Sequence, residues 1–462
     1  CAKKARFAML IVNAEVDGVR LDVRFQDKIL ELSSSIQPAP GESVIDAQGG
    51  ALLPGLHDHH MHFLATAAWA NSVDCGAVDI TGPDELGRLL RQQTGSGWLR
   101  GVNYHESIAG ELQVRALDEL ADNRPVRIQH RSGKAWMLNS AAIELLQLQQ
   151  YADIDGVEVD SSGAVTGRLF RLDGWLRERL SADLTSDISS LSRQLSSYGV
   201  TGFTDTSATN SQQTAQLFAQ WQSDGVLQQD VLLMGDDSLH AGPLKVILDE
   251  DSLPDLENLV VRLQRARNRG RSIAFHCVSH LELLFALTAL EQVPADSRDR
   301  IEHAAIVYDE MLPRLKQRGI SVVTQPGFLW QRGDQYLKDL EPREIEVLYR
   351  HRALLEAGVN TVVSSDGPYG PVNPWKVMDA ASRRTTQSGT TIGGQERVSP
   401  DHSLRGYLLN AHGLKQPARE IRVGANADLC LLQLPWCEAK KQVANVKVQA
   451  TIRSGAVTHR LP

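Results

Sequence analysis

The sequence has few cysteines, no long apolar run and no excess of positive charge. Its 462 residues include 5 cysteines, and these lack the paired spacing of a zinc ribbon, so we expect free thiols in a reducing cytoplasm. No apolar run approaches the ~20 residues of a membrane helix. The net charge of -8 and the missing basic patch argue against a nucleic-acid partner. The sequence therefore predicts a cytoplasmic globular protein that binds neither nucleic acid nor membrane.

The length allows one large domain and one small one. Short β-rich runs separated by turn residues fill the first 50 residues and return after about residue 427. Because the two chain ends look alike, we predict that residues 1–53 and 414–462 pair into one small β domain. Residues 54–413 then form the large domain, with an inserted segment at about 70–185.

Strands and helices alternate from about residue 187. Strands such as Val200–Asp205 and Arg300–His303 are separated by helices of ~10–15 residues, which is typical of parallel βαβ units. A helix over Arg343–Ala357 is predicted near the end of this series. The number of units fits an eight-stranded (β/α)8 barrel with its active site at the carboxyl ends of the strands. An open doubly wound sheet is the alternative, but no Gly-x-Gly-x-x-Gly turn follows an early strand.

Four histidines lie within six residues of the stretch Ala51–Phe63. Successive side chains of a strand alternate between its faces, so Asp58, His60 and His62 share one face. Two imidazoles at positions i and i+2 can bind one zinc-like ion. A polar surface patch, or a metal-free histidine pair in a hydrogen-bond network, remains the alternative for this stretch taken alone.

Further ionisable residues stand at the ends of the predicted strands. Alone, Lys245 could be a surface cation and Asp366 could begin a turn, but a barrel brings all of these ends to one rim. A metal ion there would lower the pKa of water toward ~7 and supply an activated hydroxide. Asp366 could then carry a proton, and a desolvated, neutral Lys245 could be carboxylated and bridge two ions. The candidate ligands are His60, His62, Lys245, His276, His303 and Asp366.

Five motifs in order resemble the amidohydrolase superfamily of metal-dependent hydrolases. They are Pro54-Gly-Leu-His-Asp-His-His-Met-His62, Gly242-Pro-Leu-Lys245, Ala274-Phe-His276, Arg300-Ile-Glu-His303 and Ser364-Ser-Asp366-Gly-Pro368, followed by Gly424-Ala-Asn-Ala-Asp428 in the tail. The stretch Gly133–Ser140 is further similar to the subgroup that includes N-substituted formamide deformylase. The resemblance covers nearly the whole chain.

The resemblance implies a distorted (β/α)8 TIM barrel with a small β-sandwich domain built from both chain termini. It also implies one or two divalent ions, with zinc expected, held by the six candidate ligands, with Lys245 carboxylated and Asp366 catalytic. His280 stands where the subgroup favours an aspartate, and Lys134 replaces a common histidine. Both departures concern the substrate rather than the metal.

We expect a small-molecule substrate in a pocket formed by loops after the strands. Its candidate residues combine aromatic rings with cations, which suits an aromatic or carboxylate-bearing substrate. They are Tyr104, His105, His130, Arg131, Lys134, Trp136, Phe328, Trp330 and Tyr369. Ordinary loop packing is the alternative for each of them. A homodimer is left open.

The leading functional hypothesis is hydrolysis of a non-peptide amide-type C–N bond in an N-acyl or N-formyl compound. Ester, lactone or phosphotriester hydrolysis at the same metal site is the alternative, and a non-catalytic scaffold would be expected to lose ligands that this chain keeps. Ring deamination needs an additional acid. The superfamily's deaminases place a glutamate three residues after the fifth-strand histidine, where this chain has Ser279, and Glu282 is expected to point away within a helix.

Overall fold

The computed structural model describes residues 8–70, 72–76, 80–94, 97–121, 124–180 and 185–461. The chain divides into two compact units, one formed by Cys1–Thr66 with Ile188–Pro462 and the other by Ala67–Asp187. Within the described ranges, every helix is too short or too polar to cross a bilayer.

The larger unit begins with six strands. They are β1 (Met9–Val16), β2 (Val19–Phe25), β3 (Ile29–Ser33), β4 (Ser43–Asp46), β5 (Leu52–Pro54) and β6 (Leu56–Met61). Helix α1 (Phe63–Ala70) then enters the smaller unit. The elements of that unit are β7 (Val73–Asp74), α2 (Pro83–Arg91), β8 (Leu99–Tyr104), α3 (Glu106–Ala109), α4 (Val114–Leu120), β9 (Val126–His130), β10 (Ala135–Leu138), α5 (Ser140–Leu146), β11 (Val157–Val159), β12 (Val165–Phe170) and α6 (Asp173–Arg179).

Helix α7 (Thr185–Ser197) returns the chain to the larger unit. The elements that follow are β13 (Val200–Asp205), α8 (Gln212–Ser223), β14 (Asp230–Leu233), β15 (Leu244–Ile247), α9 (Leu256–Asn268), β16 (Ile273–Cys277), α10 (His280–Glu291), β17 (Arg300–His303), α11 (Met311–Arg318), β18 (Ser321–Thr324), α12 (Gly327–Asp339), α13 (Pro342–Glu346), α14 (His351–Glu356) and β19 (Thr361–Val363). The last elements are α15 (Pro374–Arg383), α16 (Pro400–Tyr407), β20 (Leu429–Leu432), α17 (Trp436–Ala439), β21 (Val448–Arg453) and β22 (Ala456–Arg460).

Two parallel sheets form the centre of the larger unit. One has the order β14-β13-β6 and the other β15-β16-β17-β18-β19. Isolated parallel bridges link Gly235, after β14, to Leu244 in β15, and Met61 in β6 to Gly367, after β19. Both edges of the three-stranded sheet are therefore linked to the five-stranded sheet. Apolar strand residues such as Phe275 and Ile301 pack against helical residues such as Leu287 in one hydrophobic cluster. Burial on both faces is typical of parallel strands covered by helices, and the predicted α/β fold is confirmed.

The chain termini contribute two four-stranded sheets, β3-β2-β1-β4 and β22-β21-β20-β5. Their apolar side chains share one core, in which Ile11 and Phe25 of the first sheet lie with Leu429 and Ile452 of the second. Residues from positions more than 400 apart therefore stabilise the same cluster. The smaller unit has its own six-stranded sheet, β11-β12-β10-β9-β8-β7.

Three local predictions were wrong. The single helix predicted over Arg343–Ala357 is interrupted between α13 and α14, where Tyr349 adopts a left-handed φ of 48°. Helix α12 was not predicted, so Phe328 and Trp330 lie on a helix rather than on a loop. Likewise, Tyr104 is the last residue of strand β8 and Trp136 lies within strand β10. Burial of one face of α12 against neighbouring aromatic residues stabilises a helix whose sequence pattern is weak.

Candidate metal site

Strand β6 and the turn after β19 are joined by hydrogen bonds at the point where their polar residues begin. The amide of Asp366 donates to the carbonyl of His60 at 2.8 Å, and the amide of His62 donates to the carbonyl of Gly367 at 2.8 Å. Asp366 has a left-handed φ of 52°, a conformation in which aspartate is enriched among non-glycine residues. These backbone contacts bring the carboxylate of Asp366 to the two histidines.

Three potential ligand atoms converge there. Oδ1 of Asp366 lies 3.3 Å from Nε2 of His60 and 3.5 Å from Nε2 of His62. The three residues offer ligand atoms that all lie within 4.8 Å of one another. Nε2 of His60 and Oδ1 of Asp366 are buried and have no hydrogen-bond partner among the described residues. Two imidazoles and a carboxylate with unpartnered atoms directed at one point fit a divalent metal ion.

Two further histidines adjoin this group. The ring of His303 lies 4.8 Å from that of His60 and 4.4 Å from that of His276, centroid to centroid. Nδ1 of His303 is 3.7 Å from Oδ2 of Asp366. Strands β16 and β17 pair in parallel register, which places the ends carrying His276 and His303 side by side. Four of the histidines predicted from sequence are therefore brought together around Asp366.

Lys245 is buried on β15, with 3% of its surface exposed. Its Nζ has no hydrogen-bond partner among the described residues. Burial lowers the pKa of Lys245 to about 8, although the nearby carboxylates of Glu302 and Asp366 oppose this effect. The side chain thus shares an electrostatic environment with the histidine cluster, and a part of its population is neutral near physiological pH.

Glu302 supports His60 and was not singled out from the sequence. Its Oε2 accepts a hydrogen bond from Nδ1 of His60 at 2.5 Å. Arg300 donates to both carboxylate oxygens of Glu302 and, at 2.6 Å, to the carbonyl of His59. Charged residues at positions i and i+2 of the buried run Arg300–His303 are the signal that could have revealed this pair.

The other histidines are also held by polar side chains. Nδ1 of His62 lies 3.0 Å from Oγ of Ser207. Nδ1 of His303 lies 2.8 Å from Oε1 of Gln325, whose amide donates to Oγ of Ser364 at 3.0 Å. Contacts of this kind orient an imidazole and leave its other nitrogen for a metal.

Burial sets the protonation of the cluster. It lowers the pKa of His276 to about 3 and that of His303 well below its usual value, so both rings are neutral at physiological pH. Burial also opposes protonation of His60, but the carboxylates of Asp366 and Glu302 outweigh it and raise the pKa of this residue. A cation at Nε2 would be favoured by the same two carboxylates.

The substrate-binding candidates of the larger unit have different environments. Tyr369 packs edge-on against His62 with ring centroids 5.8 Å apart. Phe328 is buried in an aromatic cluster with Tyr349, and the guanidinium of Arg332 lies 4.6 Å from its ring. Trp330 is 45% exposed. Tyr369 is thus the candidate of this unit with a contact to a proposed ligand, and a substrate role for all three stays a prediction.

The remaining candidates lie in the smaller unit. Nε2 of His130 lies 3.1 Å from Glu106, and Nε2 of His105 lies 3.7 Å from the same carboxylate. Tyr104 is buried and donates to the carbonyl of Gly110. Trp136 is buried, and its Nε1 donates to Asp173 at 2.9 Å. Arg131 is partly buried, and Lys134 is exposed. Their role in substrate binding also stays a prediction.

Comparisons with known proteins show which proteins this chain resembles. The profile of the amidohydrolase family matches residues 43–459. N-substituted formamide deformylase of Arthrobacter pascens is 28% identical, over 85% of this chain and 85% of that protein. A solved metal-dependent hydrolase of uncharacterised function from Pyrococcus horikoshii superposes with a TM-score of 0.73 at 17% identity, over 98% and 100% of the two chains. N-isopropylammelide isopropylaminohydrolase of Burkholderia multivorans gives 0.56 at 17% identity, over 98% of each chain.

The family match extends over most of the sequence, and the family resemblance read from the sequence motifs is confirmed. The converging histidines and Asp366 lie within the matched residues. This chain belongs to the amidohydrolase family and is a metal-dependent amidohydrolase that acts on a small-molecule substrate.

Proposed function

We propose that the protein hydrolyses a non-peptide amide-type C–N bond in an N-formyl or N-acyl compound. The observation that carries the proposal is the convergence of Nε2 of His60, Nε2 of His62 and Oδ1 of Asp366 in a buried site. The resemblance to N-substituted formamide deformylase supports the choice of bond.

His60, His62, His276, His303, Asp366 and carboxylated Lys245 are the proposed ligands. Zinc is the proposed ion, because imidazole nitrogens with carboxylate oxygens suit it. A bound divalent ion would lower the pKa of water and polarise the substrate carbonyl. Asp366 accepts a proton from the attacking water and delivers it to the departing amine. Tyr369 lies against His62 and is proposed to contact the substrate.

The position of Glu282 argues against ring deamination. This carboxylate caps helix α10, where its Oε2 accepts hydrogen bonds from the amides of Val278 at 2.5 Å and Ser279 at 3.1 Å. Burial raises the pKa of Glu282, but its Oε2 is engaged with these two backbone donors at the start of the helix and is not free to protonate a substrate ring. Cleavage of an acyl C–N bond needs the single proton carrier that Asp366 provides.

A substrate panel tests the proposal. Zinc-loaded protein is assayed with N-formyl amines, N-acyl amines, esters, lactones, phosphotriesters and amino-substituted nucleobases, and the released amine, acid, alcohol or ammonia is measured. We expect the highest kcat/KM for a compound of the first two classes. Faster cleavage of an ester, lactone or phosphotriester, or faster release of ammonia from a ring, would overturn the assignment.

Carboxylation of Lys245 is proposed on its burial and lowered pKa. Intact mass measured under gentle conditions should show the added mass of one CO2, which the Lys245→Met variant lacks. An unmodified lysine beside a single ion would instead support a mononuclear site formed by His60, His62, His276 and Asp366.

The fold detail is proposed in the same way. Strands β6 and β13–β19 would close into a distorted (β/α)8 barrel, which the bridges Gly235–Leu244 and Met61–Gly367 support. The two terminal sheets would form a β-sandwich around their shared core, and residues 1–53 with 414–462 stay the predicted limits of that domain. A cytoplasmic location is proposed because Cys75, Cys277, Cys430 and Cys437 are free thiols. Whether the protein forms a homodimer is tested by measuring its mass in solution by sedimentation.

A further inference from the structure

A cavity lies at the amino ends of the central strands, opposite the ends that carry the candidate metal site. It has a volume of about 270 Å³. Its wall includes Pro243, Ser272, Arg300 and Ser321, which stand at or immediately before the first residues of β15, β16, β17 and β18. His276 and His303 lie toward the other ends of these strands. The cavity is therefore separate from the candidate metal site.

The lining of this cavity is strongly cationic. It contains four arginines and no aspartate or glutamate among its described residues. Arg298 and Arg300 pair with Asp296 and Glu302, whereas Arg269 and Arg271 form no ion pair among the residues that the structure describes. Two histidines, His240 and His412, stand on its exposed side. Arginine guanidinium groups pair with phosphate through two parallel hydrogen bonds. A lining of this composition favours an anionic ligand.

Arg271 contributes a buried charge to this lining. Its residue surface is 3% exposed, and its guanidinium donates at 2.7 to 3.2 Å to the carbonyls of Gly235, Asp236, Gly242 and Pro243. Four carbonyls satisfy its donors but carry no net charge, and Arg271 forms no ion pair with any residue that the structure describes. Burial lowers the pKa of Arg271 and outweighs the charges of Asp237 and Asp236, which favour the cation. Burying a charge is costly, so a bound anion would offset part of this cost.

The carboxylates around the cavity are engaged with other partners. Asp296 pairs with Arg298 at 2.6 Å, Asp237 pairs with Arg262 at 2.7 Å, and Oδ1 of Asp236 accepts from Ser238 at 2.8 Å. Arg269 donates to the carbonyl of Asp237 at 2.9 Å and, within the described ranges, forms no ion pair. Arg269 and Arg271 thus both keep charge available for a ligand.

We propose that this cavity binds a phosphate group, either as the free ion or as a phosphate monoester of a few carbon atoms. Its volume lies just below the ~300–1,000 Å³ of sites for drug-sized ligands, which limits the organic part. Arg269 contacts the phosphate from the exposed side, together with Nη1 of Arg298, whose Nε and Nη2 hold Asp296. Arg271 supplies the buried positive charge.

Binding of inorganic phosphate and of glycerol 3-phosphate to the zinc-loaded protein, measured by calorimetry, tests this site. The test variants are Arg269→Ser with Arg298→Ser, and Arg269→Ser alone. Arg271 and Arg300 are left unchanged because they hold backbone carbonyls and Glu302. Arg193→Ser is the matched control, since this arginine is exposed and contacts Ser189 on helix α7. The His62→Ala variant tests whether phosphate binds at the candidate metal site instead, because binding there should be lost in this variant.

We expect saturable binding of at least one probe, weakened by about tenfold or more in the double variant and less in the single one. The Arg193 and His62 variants should bind as the unaltered protein does. Tighter binding of inorganic phosphate would identify the free ion as the ligand. Tighter binding of glycerol 3-phosphate would identify an organic phosphate as the ligand. The proposal is overturned if neither probe binds, if both test variants bind normally, or if His62→Ala alone abolishes binding.

Discussion

At the scale of single residues, His60 is held between two acidic side chains. Glu302 accepts from Nδ1 at 2.5 Å, and Asp366 lies 3.3 Å from Nε2. A proton fixed on Nδ1 leaves the lone pair of Nε2 directed toward Asp366, which is the tautomer that a metal ligand needs. Arg300 in turn holds Glu302, so the orientation of His60 depends on a buried ion pair.

The Glu302→Gln variant should weaken metal binding by about 10- to 100-fold, because contacts behind a ligand typically contribute this much. It also leaves Arg300 buried without its counter-charge, which lowers the free energy of unfolding. The metal dissociation constant is measured by competition with a chelator. Glu356→Gln, at an exposed site on helix α14, is the control. An unchanged metal dissociation constant in Glu302→Gln would show that Glu302 does not support metal binding by His60.

The Asp366→Asn variant should lower kcat by a factor of about 10² or more, since an amide cannot carry the proton between water and the departing amine. Metal content is measured on the same samples, which separates loss of proton transfer from loss of a ligand. Asp379→Asn, which removes a carboxylate paired with Arg383 on helix α15, is the matched change elsewhere. Near-normal turnover in Asp366→Asn with full metal content would contradict its catalytic assignment.

At the scale of elements, strand β6 packs against β13 so closely that side chains larger than hydrogen are excluded at two positions. A Cβ at Gly202 would lie 2.6 Å from Nδ1 of His57, and one at Gly55 would lie 2.3 Å from Oγ1 of Thr201. His57 also contacts Thr204 at 3.0 Å. This packing fixes the strand that presents His60 and His62.

The Gly202→Val variant should therefore lower the free energy of unfolding by about 1–3 kcal/mol through overpacking, and it should weaken metal binding by displacing β6. Chemical denaturation and metal analysis measure the two effects. Gly174→Ala is the control, because a Cβ there meets no atom within 4 Å. Equal stability of Gly202→Val and the unaltered protein would show that β6 tolerates this displacement.

The sequence predicted the structure best where the spacing of apolar residues and the positions of polar residues indicated the same element. The bounds of β13 (Val200–Asp205) and β17 (Arg300–His303) match their sequence predictions, because the apolar run and the end of the strand coincide there. The histidine cluster was predicted because residues at positions i and i+2 share one face of a strand, and because a barrel would bring the carboxyl ends of its strands to one rim. Glu302 was missed because its partner His60 is 242 residues away, and α12 was missed because tertiary burial, not local pattern, stabilises it.

At the scale of the whole molecule, buried histidines make stability depend on pH. Burial lowers the pKa of His59 and of His351 to about 3 each, from an ordinary value of 6.5. Between these values the unfolded chain binds protons that the folded protein does not. The stability from these two residues is therefore present above about pH 6.5 and is lost progressively as the pH falls toward 3.

Denaturation between pH 7 and pH 5 should show stability falling by up to about 3 kcal/mol per pH unit from these two groups. His351→Phe removes one of them and should reduce the slope by about half of that value. A slope that His351→Phe does not alter would mean that His351 titrates alike in both states.

His60, in β6, and His62, directly after it, are proposed to hold the metal used in C–N hydrolysis. The most direct measurement is turnover of an N-substituted formamide by chelator-treated protein during titration with zinc, for the unaltered chain and for His60→Ala with His62→Ala. If these histidines hold the metal, chelation should abolish turnover, one or two equivalents of zinc should restore it, and zinc should restore nothing in the double variant. Full turnover after chelation, or recovery of the double variant with zinc, would contradict this role of the two histidines.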